Sequence, residues 1–190
     1  SINKDESITG IATIDGDGKR KEILKEHQYT REKIKSSTNA PPPERSLEVQ
    51  FLDGELNRAD LEEVAKLDLD GYQLTELPKN LENLTQLKVL VLSKNQLTEL
   101  PKGLEKLTQL EVLSLDGNQL TELPKGLENL TQLTELWLGD NKLTDVKGLE
   151  NLTQLTDLGI HSNHLIDVRG FEKLRQLKDL DLRNNFNLTF

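Results

Sequence analysis

A repeat of 22 or 23 residues runs through most of this chain and constrains its fold more than any other feature. Equivalent leucines occur at Leu67, Leu90, Leu113, Leu136, Leu158 and Leu180, with spacings of 23, 23, 23, 22 and 22 residues. The pattern L-x-x-L-x-L-x-x-N-x-L surrounds them, as in the copy from Leu87 to Leu97. A single unit of this length cannot bury its own apolar face. The repeats are therefore predicted to stack into a solenoid with one continuous leucine core.

Each recurring position of the unit has a physical role. Leu90 and Leu92 alternate, which is the pattern of the inward face of a short strand. Asn95 follows where the chain turns, and its amide can hydrogen-bond the backbone of that turn and of neighbouring coils. Because a buried leucine contributes about 1.5–3 kcal/mol, the leucines are predicted to outweigh any surface ion pair in stabilising the coils.

The repeats are of two kinds, and together they carry a family resemblance. The 23-residue copies contain Leu-Pro, at Leu77-Pro78, Leu100-Pro101 and Leu123-Pro124, whereas the two shorter copies have Val146-Lys147 and Val168-Arg169. Over about residues 61–187 the chain resembles leucine-rich repeat proteins of the bacterial and intracellular type. Its longer copies look like the Ras-suppressor-like class, and its shorter copies look like internalins. The resemblance implies an α/β solenoid, a curved right-handed superhelix with a parallel β-sheet on the concave side and irregular or 3-10 segments on the convex side.

Three regions are predicted along the chain. Residues 1–46 form an N-terminal extension outside the repeat, with a strand over residues 8–14, a turn at residues 15–18, a charged helix over residues 19–35 and a proline linker at residues 41–43. This extension is either a solvated tail or targeting region, or an arm that docks on another copy or on a partner. Residues 47–66 form an N-terminal cap, and residues 67–190 form the repeat domain.

Both ends of the repeat domain need covering. In the cap, Leu47, Val49 and Phe51 alternate, which predicts a strand. A capping box between Asn57 and Asp60 predicts a short helix over residues 57–65. At the other end the leucine register slips at residues 187 and 188. Either the last apolar residues form a minimal cap or the chain is truncated there, and an uncapped edge would invite end-to-end pairing.

Charge and composition narrow the classes of partner. The net charge is −9, with about +1 on residues 1–46 and −10 on residues 47–190. An acidic body repels phosphate backbones and favours a partner with basic groups, so nucleic acid is not an expected partner. The chain has no Cys, which excludes disulfides and cysteine nucleophiles, and no apolar run approaches the length of a membrane span.

No residue set in the sequence predicts catalysis or a cofactor. The turn Asp15-Gly-Asp-Gly18 has Lys19 where a calcium loop needs a third acidic ligand, so a Gly-rich turn is the preferred interpretation. His161 and His164 would need a third ligand to hold a metal, and the two side chains are expected to point in different directions. The sequence therefore predicts neither an enzyme nor a metal site.

The predicted binding surface is the sheet face opposite the leucines, with three positions from each coil. These positions vary between coils, whereas the rest of each coil is nearly copied. Trp137, the single Trp, is predicted as the anchor, with small neighbours at Ser114 and Gly159 that leave space beside the indole. The predicted acidic rim consists of Asp116, Glu135, Asp140, Asp157 and Asp179. The full set of candidate binding residues is Val91, Val112, Ser114, Asp116, Glu135, Trp137, Asp157, Gly159, His161 and Asp181.

The leading functional hypothesis is a non-enzymatic module that binds a protein through this face. One alternative is a structural protein that self-associates through residues 1–46 or through the C-terminal edge. Another is a binding fragment of a larger secreted bacterial effector or adhesin, with any activity elsewhere in that protein. The sequence leaves open whether the chain acts in the cytoplasm or after secretion.

Overall fold

The computed structural model of the chain describes residues 45–189. The predicted strand, turn, charged helix and proline linker of the extension lie outside the described residues, as does Phe190. Within the described range, no helix is long and apolar enough to cross a membrane.

Two short helices precede the repeats, α1 (Leu47–Leu52) and α2 (Arg58–Glu63). The prediction of a strand at Leu47, Val49 and Phe51 is wrong. The Ser46 side chain accepts a hydrogen bond from the Val49 N–H and caps α1 at its N-terminus. Leu47 and Phe51 then share one helical face at the i, i+4 spacing, and Phe51 is fully buried in the core. Three alternating residues are too few to distinguish this helical spacing from a strand.

The capping box predicted for α2 is present. The Asn57 side chain accepts from the Asp60 N–H at 3.0 Å, and the Asp60 side chain accepts from the Asn57 N–H at 3.0 Å. Leu61 on this helix is buried in the leucine core. The helix therefore packs an apolar side chain onto the first coil.

The repeats form one six-stranded parallel sheet with its strands in chain order. The strands are β1 (Lys66–Asp68), β2 (Val89–Val91), β3 (Val112–Ser114), β4 (Glu135–Trp137), β5 (Asp157–Gly159) and β6 (Asp179–Asp181). The six central leucines pair in register along the sheet. Those of β1 to β5 are buried on the inner side, so the predicted α/β solenoid with a continuous leucine core is confirmed.

A column of asparagines joins successive coils behind the strands. Asn118 is representative: its Oδ1 accepts from the Leu97 N–H at 3.1 Å, and its Nδ2 donates to the carbonyls of Leu92 and Leu115, both at 2.9 Å. Equivalent bonds are made by Asn95, Asn141, Asn163 and Asn185, and all five asparagines are buried. The asparagine amides thus form hydrogen bonds with backbone groups that have no partner in the sheet, as predicted.

The opposite side of each coil carries a single 3-10 turn. These turns are Lys79–Asn83, Leu104–Lys106, Leu127–Asn129, Leu149–Asn151 and Phe171–Lys173. In a longer coil the Leu127 N–H donates to the Pro124 carbonyl, and in a shorter coil the Leu149 N–H donates to the Val146 carbonyl. In both kinds of repeat the 3-10 turn therefore begins with an equivalent backbone hydrogen bond, although the shorter repeat has one residue fewer.

The leucine core is less covered at its C-terminal end than in its interior. Leu180 on β6 is 40% exposed, whereas the equivalent leucine of β5, Leu158, is 1% exposed. Phe186, in the turn after β6, is 89% exposed. The C-terminal edge of the described residues thus presents the apolar side chains of Leu180 and Phe186, whereas Leu188 packs against the core.

Candidate functional site

The sheet face opposite the leucines, here called the concave face, consists of three rows of side chains. The first row is Lys66, Val89, Val112, Glu135, Asp157 and Asp179, and the second is Asp68, Val91, Ser114, Trp137, Gly159 and Asp181. The third row, Asp70, Ser93, Asp116, Gly139, His161 and Arg183, continues each strand, and its carbonyls from Ser93 onward accept hydrogen bonds from the preceding coil. All ten sequence-derived candidates lie in these rows.

Accessibility divides the concave face into two halves. In the N-terminal half, Val91, Val112, Ser114 and Asp116 are all less than 9% exposed, and three other side chains of the rows, Lys66, Asp70 and Val89, are partly buried. Glu135, on β4, is also buried. From β4 onward, Trp137, Asp157, His161 and Asp181 are only partly buried, and Asp179 is exposed. The groups within reach of a partner are therefore concentrated on β4 to β6.

Two aromatic rings, those of Trp137 and His161, each lie over a glycine of the neighbouring coil. A Cβ added to Gly159 would lie 2.7 Å from the Trp137 Cε3, so the indole of β4 lies over the backbone of β5. A Cβ added to Gly139 would lie 2.1 Å from the His161 Cε1, so the imidazole that follows β5 lies over the backbone that follows β4. The prediction of free space beside the indole at Gly159 is therefore wrong, because the indole itself occupies that space.

The imidazole of His161 lies between two carboxylates from neighbouring coils. Its Nε2 is 3.4 Å from the Asp140 Oδ2, and its Nδ1 is 3.6 Å from the Asp181 Oδ2. Arg183 binds the second carboxylate through two side-chain hydrogen bonds of 2.9 Å and 2.7 Å. These bonds hold the pKa of Asp181 below its ordinary value, against the opposing effect of partial burial. Asp181 is therefore ionised at neutral pH.

Two of the predicted acidic rim residues have local structural contacts. The Asp116 Oδ1 accepts from the Gly139 N–H at 2.7 Å, directly beneath the histidine ring. The Thr156 hydroxyl donates to the Asp157 Oδ2 at 2.6 Å, which orients that carboxylate on the face. Asp116 thus supports the backbone of the face, whereas Asp157 is partly exposed and available to a ligand.

Four carboxylates remain accessible at the C-terminal end of the face and are here called the acidic strip: Asp140, Asp157, Asp179 and Asp181. The paired positions on β5 and β6 place Asp157 opposite Asp179. Like charges directly opposite each other on a sheet are unfavourable for folding. A cationic group bound against the strip would relieve this repulsion.

The two histidines considered as a metal pair have different surroundings. His161 lies on the concave face, whereas His164 is exposed on the following turn and its backbone N–H bonds the Leu143 carbonyl. Among residues 45–189, no group of three His, Cys, Asp or Glu side chains is arranged to hold a metal ion.

The packing of the two rings over glycines is not predicted by the sequence pattern described above, although the sequence carries a signal for it. Gly139 and His161 are 22 residues apart, as are Trp137 and Gly159, and this is the length of the shorter repeat. Each aromatic residue therefore has a glycine beside it on the next strand. The spacing alone does not say whether the ring stands away from the glycine or lies over it.

Comparisons with known proteins agree with this architecture. A family profile described as a leucine-rich repeat region matches residues 55–187. Among solved structures, a leucine-rich repeat protein of Leptospira interrogans is 36% identical with a TM-score of 0.62, and the match covers 65% of this chain and 32% of that chain. The leucine-rich repeat ectodomain of a receptor kinase from Arabidopsis thaliana is 30% identical with a TM-score of 0.57, covering 64% and 71%. Among curated proteins, none matches the chain.

These comparisons support a general class of function. Leucine-rich repeat domains are typically non-enzymatic, and their fold suggests a protein–protein interaction module. The likeness to the Leptospira protein also supports the bacterial type of repeat predicted from the sequence. The chain spans 32% of the length of that protein, so what the rest of such a protein does is not carried over. With matched repeats across residues 55–187 and the same stacked-coil architecture as these relatives, the chain belongs to the leucine-rich repeat family.

Proposed function

We propose that the chain binds a protein partner through the C-terminal half of its concave face. The observation that carries the proposal is the concentration of accessible, non-repeated side chains on β4 to β6, beside a scaffold that is nearly identical from coil to coil. Trp137 supplies apolar contact area of the kind that dominates interface energies. The acidic strip supplies complementary charge for a partner with basic groups.

The balance of charge on the sides of the coils differs from that on the concave face, and this difference supports the proposal. The sides of the repeats present short-range pairs between neighbouring coils, such as Lys106 with Glu82 at 2.8 Å and Lys88 with Glu111 at 3.1 Å. These exposed pairs balance opposite charges within the scaffold, whereas carboxylates outnumber cations on the C-terminal half of the concave face. A basic partner therefore gains more from the concave face than from these paired sides.

The test is affinity capture from an extract of the source organism with the wild-type chain and with Trp137→Ala. Because a central aromatic residue contributes about 2 kcal/mol or more to an interface, the substitution should weaken capture at least tenfold without unfolding the chain. Ile166→Ala is the control, since it removes an exposed apolar side chain that lies outside the three rows of the concave face. Equal capture by the wild type and Trp137→Ala would contradict the proposal.

Self-association through the C-terminal edge is a second candidate function. It is favoured by the exposure of Leu180 on β6, the last strand of the sheet among the described residues. Light scattering tests it: the wild type should form a dimer or larger species, and Leu180→Glu should be monomeric. A monomeric wild type at high concentration would rule this candidate out.

A further inference from the structure

Two glycines beside Trp137 leave space for a ring on the concave face, and the indole lies over only one of them. Gly159 is opposite Trp137 on β5, and Gly139 follows Trp137 by two residues along the same coil. On the other side, the residue opposite on β3 is Ser114, which carries a side chain. The indole lies over Gly159, since its Cε3 and Cζ3 are 2.7 Å and 3.1 Å from the position of a Cβ there. Another group must therefore keep the indole away from Gly139.

The imidazole of His161 takes the space over Gly139. Three of its ring atoms lie within 2.5 Å of the position of a Cβ at that glycine. The Asp140 Oδ2 is 3.4 Å from its Nε2, and the Asp181 Oδ2 is 3.6 Å from its Nδ1. Beneath the ring, the Asp116 Oδ1 accepts from the Gly139 N–H at 2.7 Å and holds that backbone in place. Groups from the coils on both sides thus hold the imidazole, which closes the space over Gly139 to the indole.

The two rings lie side by side, because they cross between neighbouring coils in opposite directions. The indole lies in the second row of the concave face and the imidazole in the third, and two strand residues rise about 6–7 Å. Aromatic rings interact favourably when their centres are about 4.5–7 Å apart. The imidazole of His161 therefore forms one wall of the position that the indole of Trp137 occupies.

We propose that His161 is a positioning residue for Trp137: by filling the space over Gly139, it holds the indole over Gly159 in one orientation before a partner binds. This inference rests on the proposed function, in which Trp137 is the anchor of the interface. It gives His161 a role that depends on the shape of its ring and not on a contact with the partner. An anchor that is already ordered loses less side-chain freedom on binding, so the partner is bound more tightly.

Fluorescence anisotropy decay tests the positioning role without a partner, since Trp137 is the only Trp in the chain. In the wild type the indole should follow the slow tumbling of the folded chain. In His161→Ala a fast local component should appear, because the indole gains the space over Gly139. His161→Phe keeps a flat ring in that space and should restore the wild-type decay. His164→Ala, which removes an exposed imidazole from the following turn, is the control and should match the wild type.

A double-mutant comparison tests whether the effect of His161 on binding passes through the indole. In affinity capture from the same extract, His161→Ala should weaken binding of the captured protein about two- to tenfold, the range for immobilising one side chain. In a chain that already carries Trp137→Ala, the same substitution should weaken capture no further, at chain concentrations where Trp137→Ala still captures the protein.

Two results would overturn the positioning role. One is a wild-type anisotropy decay in His161→Ala, and the other is an equal loss of capture with and without Trp137→Ala, which would show that His161 contacts the partner itself. Failure of the proposed function would look different, because the wild type and Trp137→Ala would then capture equally. The anisotropy decay would still decide the positioning role in that case.

Discussion

At the residue scale, the asparagine column explains how short strands hold together a stack of coils. Each strand pairs only three residues with the next, so many backbone groups at the turns need other partners. Asn118 alone serves three of them, from its own coil and from the preceding coil. In the first coil the equivalent position is Tyr72, where the stack meets the N-terminal helices.

Replacing Asn118 with Ala should therefore lower the free energy of unfolding by about 2–4 kcal/mol, because it leaves several buried backbone groups unsatisfied. Urea denaturation followed by circular dichroism measures this change. Asn83→Ala, at an exposed position of a 3-10 turn, should shift stability by less than about 0.5 kcal/mol. Equal losses in both variants would show that the amide bonds are not the cause.

The crossed packing of Trp137 over Gly159 makes a prediction about the sheet face itself. Gly159→Ala adds a methyl group where the indole now lies, so the ring must move off the backbone and into water. The Trp137 emission should shift to longer wavelength, with a stability loss of about 1–3 kcal/mol from overpacking. Gly139→Ala is the matched comparison, because its methyl group meets His161 instead. An unchanged emission maximum in Gly159→Ala would contradict the packing described.

At the scale of the element, the spacing of apolar residues predicted secondary structure correctly where the pattern extended over many residues, and wrongly where it covered only a few. The capping box at Asn57 predicted α2 correctly, because its two reciprocal hydrogen bonds with Asp60 form only at the start of a helix. The alternation of Leu47, Val49 and Phe51 predicted a strand, yet the same residues satisfy a helical spacing, and Ser46 caps the helix. The choice depended on tertiary burial of Phe51, which no local pattern contains.

In both shorter coils, a glutamate of the 3-10 turn accepts a hydrogen bond from the backbone N–H of the glycine two residues before it. The Glu150 Oε2 accepts from the Gly148 N–H at 2.7 Å, and the Glu172 Oε2 accepts from the Gly170 N–H at 2.8 Å. Hydrogen bonds from the backbone N–H groups of Glu150 and Gly148 hold the pKa of the Glu150 carboxyl below its ordinary value. The ionised form is thus favoured in the folded chain, and it helps to fix the start of the turn.

A lowered pKa in the folded state means that Glu150 stabilises the chain above its ordinary pKa, and that this contribution is lost as the pH falls through the lowered value. Glu150→Gln should therefore be less stable than the wild type at pH 7, and the difference should narrow below about pH 4. Urea denaturation at several pH values measures this. A difference for Glu150→Gln that stays constant across these pH values would contradict the assignment.

At the scale of the whole molecule, the sequence was sufficient to predict the solenoid, its sheet order and the rows of the concave face. The reason is that the same leucines and asparagines recur at the same positions of each coil, so the structure of one coil predicts the structure of the others. The accessibility of the face was not predictable in this way. The repeat register predicts that Val91 and Val112 lie on the face, as do Asp157 and Asp179. Only the packing of the folded chain shows that the two valines are buried and the two aspartates accessible.

If a partner contacts β4 to β6 from the concave side, as proposed, a photoreactive residue on that side should crosslink to it. A photoreactive residue at Asp157 would report on the concave face, and one at Asn151 would report on the exposed 3-10 turn that precedes β5. Both chains are incubated with extract and irradiated, and the covalent adducts are identified. We expect an adduct from position 157 that is absent from position 151 and that unlabelled wild-type chain competes away. An adduct formed only from position 151 would contradict it.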